Sequence, residues 1–305
     1  MRFDIRNCGM ALTLLASAWG DRAEGQQPLA EVPFTLYRNG IILPVVLNQK
    51  DTLRLLLDTG WGPLALVDST AERLRLVVPG RTTAGDLPKT RQASLAVGRA
   101  IKRNPVFEVF PAAELIPLIG PHDGILGTEF FRDLVLQIDY PRKLVRFYDR
   151  SPVFTTTPVA ELGRATVPMV FSPRAGALPF TDSVFVNGHS VRTLFDTGGS
   201  GAFLAMAGMV RRFGLRPSDD SVRAGIGMLS EGRATQAPVH FTRVGRISFG
   251  AIVVDSPRVI MAPAQLEGGD WGHELIIGSG LMQNYVVTFD YLSRRVTFER
   301  PGRRG

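Results

Sequence analysis

Cysteine is almost missing from this sequence: of 305 residues only Cys8 is one, and it lies close to the start. Downstream there is no material for a disulfide framework, a thiol nucleophile or a cysteine-ligated zinc, so those classes fall away. Lysine is nearly as scarce. Four of the 35 cationic side chains are lysines, so the net charge of +7 is an arginine excess, scattered singly and without a basic stripe interleaved with aromatics. Nucleic-acid binding is not the expectation for such a distribution. Long apolar runs are lacking too. No segment after the N-terminal stretch reaches the about 18 uninterrupted apolar residues that a spanning helix needs, so no integral membrane segment is expected in the mature chain. A Gly-x-Ser-x-Gly elbow, a His-Glu-x-x-His helix and a Walker-type loop are all absent, and no cofactor is expected.

What is present begins with Arg2 and Arg6, an apolar run from Cys8 to Ala18, and small residues at Ala16–Ala18 and Ala23–Gly25. This reads as a secretory signal over residues 1–25, with a buried N-terminal helix as the alternative. An exported, periplasmic or secreted protein follows from the first reading. The rest is rich in Gly (32) and Pro (21), with Val, Ile, Leu and Phe in short runs. Many short strands with frequent turns are the expectation, an all-β chain rather than a helical bundle.

One pattern occurs twice. Leu55-Leu56-Leu57-Asp58-Thr59-Gly60 and Thr193-Leu194-Phe195-Asp196-Thr197-Gly198 each run an apolar strand into a carboxylate and then a glycine, 138 residues apart (196 − 58). A short helix is expected after each, opened by a Ser69-x-x-Glu72 capping box in the first copy and covering Leu204 to Leu215 in the second. Further on, Asp123-Gly124-Ile125-Leu126-Gly127, Asp139-Tyr140, Val145 and Phe147 align with Glu274-Leu275-Ile276-Ile277-Gly278, Asp290-Tyr291, Val296 and Phe298 at a constant offset of 151 (274 − 123). The chain is therefore a duplicated unit whose second copy holds 13 extra residues (151 − 138) between the two landmarks. The stretch from Ser151 to Thr166, rich in Thr and Pro, reads as the linker, giving lobes at 26–155 and 156–305.

Two carboxylates held on rigid strand-to-turn junctions, met across a pseudo-twofold axis, cannot both ionise. One then activates a water while the other, protonated, donates to a substrate carbonyl oxygen. The Asp-Thr-Gly repeats with their paired Ile-Leu-Gly and Ile-Ile-Gly motifs resemble the aspartic proteases, in both the two-lobed pepsin-like branch and the single-lobed retropepsin-like one. The helix after each Asp-Thr-Gly is more similar to the bacterial secreted members. The resemblance implies an all-β, two-lobed pepsin/retropepsin-like fold and an aspartic endopeptidase with a peptide or protein substrate, monomeric because both aspartates lie on one chain. It implies Asp58 and Asp196 as catalytic residues, and Thr59, Gly60, Thr197, Gly198, Ile125, Leu126, Gly127, Ile276, Ile277 and Gly278 as supports.

Both branches put a small residue directly after Asp-Thr-Gly, where this chain has Trp61 and Gly199; Ser200 is the expected substitute in the second copy. Trp61 reads either as the wall of a substrate subsite or as the mark of a first lobe that binds peptide without cleaving it. Gly225-Ile226-Gly227-Met228, within the region of extra length, resembles a retropepsin flap and is the second expected substrate-binding element, with a plain hairpin turn as the alternative. The first copy offers Gly80 to Thr90 for a flap. His122 and His273 occupy equivalent positions beside Asp123 and Glu274; the spacing of metal sites is missing, so both are read as structural and no metal is expected. His189, after the Asn187-Gly188 turn, is expected exposed, His240 structural, Asp182 and Asp255 at turns or strand edges, and Asp139 and Asp290 structural.

Overall fold

The computed structural model describes residues 27–78, 87–151, 164–172, 176–218, 223–228, 234–262 and 272–300. The expected signal segment and the lobe boundary at 155/156 lie outside the described residues. The first lobe carries β1 (Ala30–Pro33), β2 (Thr35–Tyr37), β3 (Gly40–Leu47), β4 (Asp51–Leu57), β5 (Leu64–Val67), α1 (Asp68–Arg73), β6 (Lys89–Arg91), β7 (Ser94–Val97), β8 (Ala100–Arg103), β9 (Val106–Phe110), α2 (Ala112–Ile119), β10 (Gly124–Leu126), α3 (Thr128–Phe131), β11 (Val135–Asp139) and β12 (Leu144–Tyr148). The second carries β13 (Arg164–Pro168), β14 (Val170–Ser172), β15 (Gly176–Val186), β16 (His189–Asp196), β17 (Phe203–Ala205), α4 (Ala207–Arg212), β18 (Arg223–Met228), β19 (Ala234–Arg243), β20 (Arg246–Phe249), β21 (Ile252–Asp255), β22 (Arg258–Met261), β23 (Leu275–Gly278), α5 (Ser279–Met282), β24 (Val286–Asp290) and β25 (Arg295–Glu299).

Each lobe is a curled sheet. The first runs β6-β9-β5-β10-β4-β3-β7-β8 with β2 on β3, and the second runs β18-β19-β22-β17-β23-β16-β15-β20-β21 with β14 on β15. A third sheet, β1-β12-β11-β24-β25-β13, joins them. Its two halves meet where β11 pairs β24 antiparallel: Val135 faces Asp290, Asp139 faces Val286, and Gln137 faces Thr288 at the centre. The pairing is symmetric about that central pair, and the Gln137 amide donates to Thr288 Oγ1 at 3.3 Å. A duplicated strand meeting its own copy produces that symmetry without further specification.

The strands form where the sequence alternates or runs apolar. In β3 and β4 Leu43, Val45, Leu47, Leu53, Leu55 and Leu57 are wholly buried, and the Asn48–Lys50 turn between them uses a positive φ at Asn48 and Gln49. One core cluster runs through both lobes and the joining sheet. At its centre Phe195, Phe249 and Phe298 pack edge-on or tilted, with ring centroids 5.2–6.2 Å apart. A smaller cluster of Ile42, Leu56, Ala65, Val67, Phe110, Leu115, Ile119 and Ile125 lies under α2.

Several local expectations are corrected. Ser69 does not cap α1: β5 runs up to Val67, the helix starts at Asp68, and Asp68 Oδ1 accepts from the N–H of Ser69 and of Ala112. The apolar stretch from Leu204 is first a strand, β17, and only then the helix α4, because Leu204 pairs with both β22 and β23. Gly225-Ile226-Gly227 is not a turn; it is inside β18, paired with Ala237, Gln236 and Thr235 of β19. The first copy's flap candidate lies outside the described residues apart from Leu87, Pro88, Lys89 and Thr90, the last two in β6.

The extra length can be located. Arg73 ends α1 and Arg212 ends α4, 139 residues apart (212 − 73), whereas Thr90 and Thr242, which pair with the equivalent strands β9 and β22, are 152 apart (242 − 90). The 13 additional residues (152 − 139) therefore fall between helix and strand, where the second lobe builds the β18–β19 hairpin. No helix among the described residues is long and apolar enough to cross a membrane.

Candidate active site

Asp58 follows β4 and Asp196 ends β16, each strand sitting between two others so that the carboxylate leaves the sheet at a fixed point. In the first lobe β10 runs parallel to β4 with Ile125 beside Leu56 and Leu126 beside Leu57. In the second β23 runs parallel to β16 with Ile276 beside Leu194, Ile277 beside Phe195 and Gly278 beside Asp196. Leu126 and Ile277 are wholly buried, so the apolar members of both motifs anchor the strands. Their glycines admit the two Asp-Thr-Gly loops. A Cβ on Gly127 would strike the carbonyl oxygen of Pro63, and one on Gly278 would strike those of Gly199 and Gly201.

The two loops interlock through the threonines. Thr59 Oγ1 donates to the Phe195 carbonyl at 2.8 Å and accepts from the Thr197 N–H at 3.0 Å; Thr197 Oγ1 donates to the Leu57 carbonyl at 2.8 Å and accepts from the Thr59 N–H at 3.0 Å. Both side chains are wholly buried. This lattice holds the lobes in one register and sets the Asp196 carboxyl against Gly60 and the Asp58 carboxyl against Gly198. Gly60 and Gly198 are needed for that approach: a Cβ on Gly60 would overlap the Asp196 carboxyl, and one on Gly198 the Asp58 carboxyl.

Burial, the facing charge of Asp196 and hydrogen bonding with its carboxyl push Asp58 well above the usual carboxylate range, against the Gly60 N–H that donates to it and the Gly198 N–H that faces it. Asp196 is raised as well, by burial, while the hydrogen bond with Asp58 and the N–H groups of Gly199 and Gly198 pull it back. A pair in which one member holds a proton and the other is ionised is the arrangement that supplies an acid and a base to one reacting centre.

Behind the loops the two acidic residues before the motifs act alike. Asp123 accepts from the Arg54 N–H, Thr70 Oγ1 and the Arg73 guanidinium; Glu274 accepts from the Arg192 N–H and the Arg212 guanidinium. Each ties its lobe's short helix to the strand that delivers the aspartate. His122 and His273 sit in separate lobes, His122 edge-on to Tyr37 at 5.3 Å and His273 beside Phe180 at 5.9 Å. Asp139 and Asp290 are buried; Asp139 accepts from Arg142 and Arg146, and Asp290 from Ser151 Oγ and the Ser293 N–H. These are structural assignments that follow from the contacts.

Ser200 is not a support through its hydroxyl. It is exposed, and its carbonyl accepts from Asn39 of the opposite lobe at 3.0 Å, while the donor expected of it at Asp196 is supplied by the Gly199 N–H at 3.0 Å. Trp61 packs edge-on against Phe110 at 5.8 Å, over the small cluster under α2. Its indole N–H is buried without an acceptor among the described residues. The β18–β19 hairpin, with Gly225, Ile226, Gly227 and Met228, reaches from the second lobe to α2 of the first. Sequence reasoning missed α2, whose Pro117 reads as a break. It also missed four residues behind the dyad: Thr128, Ser279, Tyr140 and Tyr291. The 151 offset that equates Thr128 with Ser279 and Tyr140 with Tyr291 was the available signal.

Comparison with known proteins gives two findings. Residues 183–281 match the family model described as aspartyl protease. The fold is similar to the crystal structure of an aspartic proteinase from Irpex lacteus, with a TM-score of 0.51 and 13% identity over 90% of this chain and 97% of that one. No curated protein matches the sequence.

Proposed function

We propose that the chain is an aspartic endopeptidase with Asp58 and Asp196 as its dyad, a reading supported by the aspartyl protease family match over residues 183–281 and by the likeness of the whole fold to an aspartic proteinase. The observation that carries this reading is the reciprocal threonine lattice, which sets each carboxyl of the pair against the glycine of the opposite loop. A water held between them loses its proton to the ionised carboxylate as its oxygen attacks the scissile carbonyl carbon. The protonated carboxyl gives its proton to the carbonyl oxygen, forming a neutral tetrahedral diol. Collapse of the diol returns a proton to the leaving nitrogen, and both products leave without a covalent enzyme intermediate.

The substrate lies extended between the lobes, as a strand-like peptide does when its main chain provides the affinity and alternate side chains the specificity. Trp61, with Phe110 and α2 beside it, forms a wall on the first-lobe side. The hairpin carrying Gly225 to Met228 covers the cleft from the second. One chain suffices for the site, so the active unit is a monomer, and the protein works after export, consistent with a chain whose only cysteine is Cys8. A second reading, a peptide binder without turnover, draws on Trp61 in the position of a small residue.

Digestion of a mixed peptide library separates the two. The endopeptidase reading expects new termini at internal bonds, unchanged by a chelator. Saturable binding of peptides with no new termini between pH 3 and pH 8 would favour the binder.

A further inference from the structure

The pseudo-twofold symmetry is broken directly behind the dyad. On the second-lobe side Ser279 Oγ donates to the Thr197 carbonyl at 2.7 Å, and the Ser279 N–H donates to the Gly199 carbonyl at 2.8 Å. The Tyr140 hydroxyl lies 3.4 Å from Ser279 Oγ. Thr197–Gly199 is thus clamped at both ends, and two backbone N–H groups, Gly198 at 2.8 Å and Gly199 at 3.0 Å, converge on Asp196 Oδ1.

On the first-lobe side the equivalent of Ser279 is Thr128. Its N–H still donates to the Trp61 carbonyl at 2.8 Å, but its hydroxyl turns away to the Gly62 carbonyl at 3.4 Å. The equivalent of Tyr140 is Tyr291, whose buried hydroxyl has no hydrogen-bond partner among the described residues. Asp58 receives one backbone hydrogen bond from its own loop, from Gly60 at 2.8 Å. The Gly198 N–H also faces Asp58, though its hydrogen bond goes to Asp196.

We propose that Ser279, backed by Tyr140, is a positioning residue that makes Asp196 the ionised, water-activating member of the pair and leaves the proton on Asp58. A carboxylate that accepts more N–H donors is stabilised in its charged form, and the one with fewer keeps the proton. Among the described residues, the titratable groups whose fields reach the dyad are Tyr140 at Asp196 and Tyr291 at Asp58. Both are phenols whose ionisation burial pushes up, so both remain neutral and neither inverts the order.

The proposal rests on reading the pair as a hydrolytic dyad, yet its test needs no substrate and stands apart from cleavage. Aspartate carboxyl carbons are labelled with 13C and titrated by NMR in full-length D58N and D196N, each checked for native circular dichroism. Removing one carboxyl removes the mutual coupling and exposes the bias of each environment. Asp196 in D58N is expected to titrate at lower pH than Asp58 in D196N. In the D58N background Ser279→Ala should raise the Asp196 midpoint, and Ser279→Thr should restore it. An Asp58 midpoint equal to or below that of Asp196 would overturn the proposal, as would an Asp196 midpoint unmoved by Ser279→Ala. If D58N with Ser279→Ala fails to fold, Tyr140→Phe in the D58N background reads the same clamp: an upward shift supports it and an unchanged midpoint counts against it.

Discussion

At the scale of the residue, Thr59 and Thr197 do more than join two loops. Each hydroxyl donates to a carbonyl of the other lobe and accepts from a buried N–H there, so Thr197→Val strands two buried polar groups. At about 1–3 kcal/mol for each unsatisfied group, the expected loss is about 3 kcal/mol in urea unfolding, while Thr197→Ser, which keeps the hydroxyl, should lose less than half of that. Asp58 behaves in the opposite sense. Its carboxyl is held above the usual range, so ionising it costs stability that is intact below the ordinary carboxylate pKa and is lost as pH rises through the folded value. D58N should therefore melt above the wild type at pH 7, with the gap closing toward pH 3; equal melting temperatures at both pH values would contradict the assignment. These residues were legible because an apolar run ending in Asp-Thr-Gly, present twice and each time followed by an apolar-apolar-Gly motif, seldom arises from composition alone. The clamp of Ser279 and Tyr140 was not, because Ser and Tyr carry no sequence signal of their own and are marked only by the repeat offset.

At the scale of the element, the motif strands β10 and β23 set how closely the two Asp-Thr-Gly loops can approach. Gly278→Ala places a methyl on the carbonyl oxygens of Gly199 and Gly201, which are backbone and cannot swing aside. Overpacking of this kind costs typically about 1–3 kcal/mol; here the Thr197–Gly199 turn must move, so a loss of cleavage larger than the loss of stability is expected. A variant with wild-type turnover would show that the turn has room. The strand pairs β3–β4 and β15–β16 were readable from their alternating apolar residues and polar turns. Element ends were less so. Ser69-x-x-Glu72 has the form of a capping box, but strand pairing holds the chain extended to Val67 and the Asp68 carboxylate takes over the role of accepting N–H groups. Likewise β17 and β18 are strands because neighbours pair with them, a tertiary cause that local propensity does not register.

At the scale of the whole molecule, one site is assembled from two lobes through a sheet that belongs to both. The sequence offset disclosed the duplication, whereas the pairing of β11 with its copy β24 is a long-range fact that no local pattern encodes. The lobes also share an acid liability. His273 is buried beside Arg192, and burial with that neighbouring charge lowers its pKa from 6.5 to about 4; His122 shifts in the same direction beside Arg54. A buried neutral histidine contributes stability that is complete above pH 6.5 and is lost as pH falls through the folded value. The shift corresponds to about 3 kcal/mol at this site. His273→Gln should flatten the dependence of unfolding free energy on pH between 6.5 and 4 by that order, and an unchanged slope would place the acid sensitivity elsewhere. The central claim concerns the dyad. Its most direct measurement is the rate of internal peptide-bond cleavage by the wild type, D58N and D196N, each confirmed folded, at the pH of maximal wild-type turnover. The account predicts that both variants fall by a factor on the order of 10³ or more, the scale of losing a positioned acid or base. Cleavage at the wild-type rate by either one would contradict it.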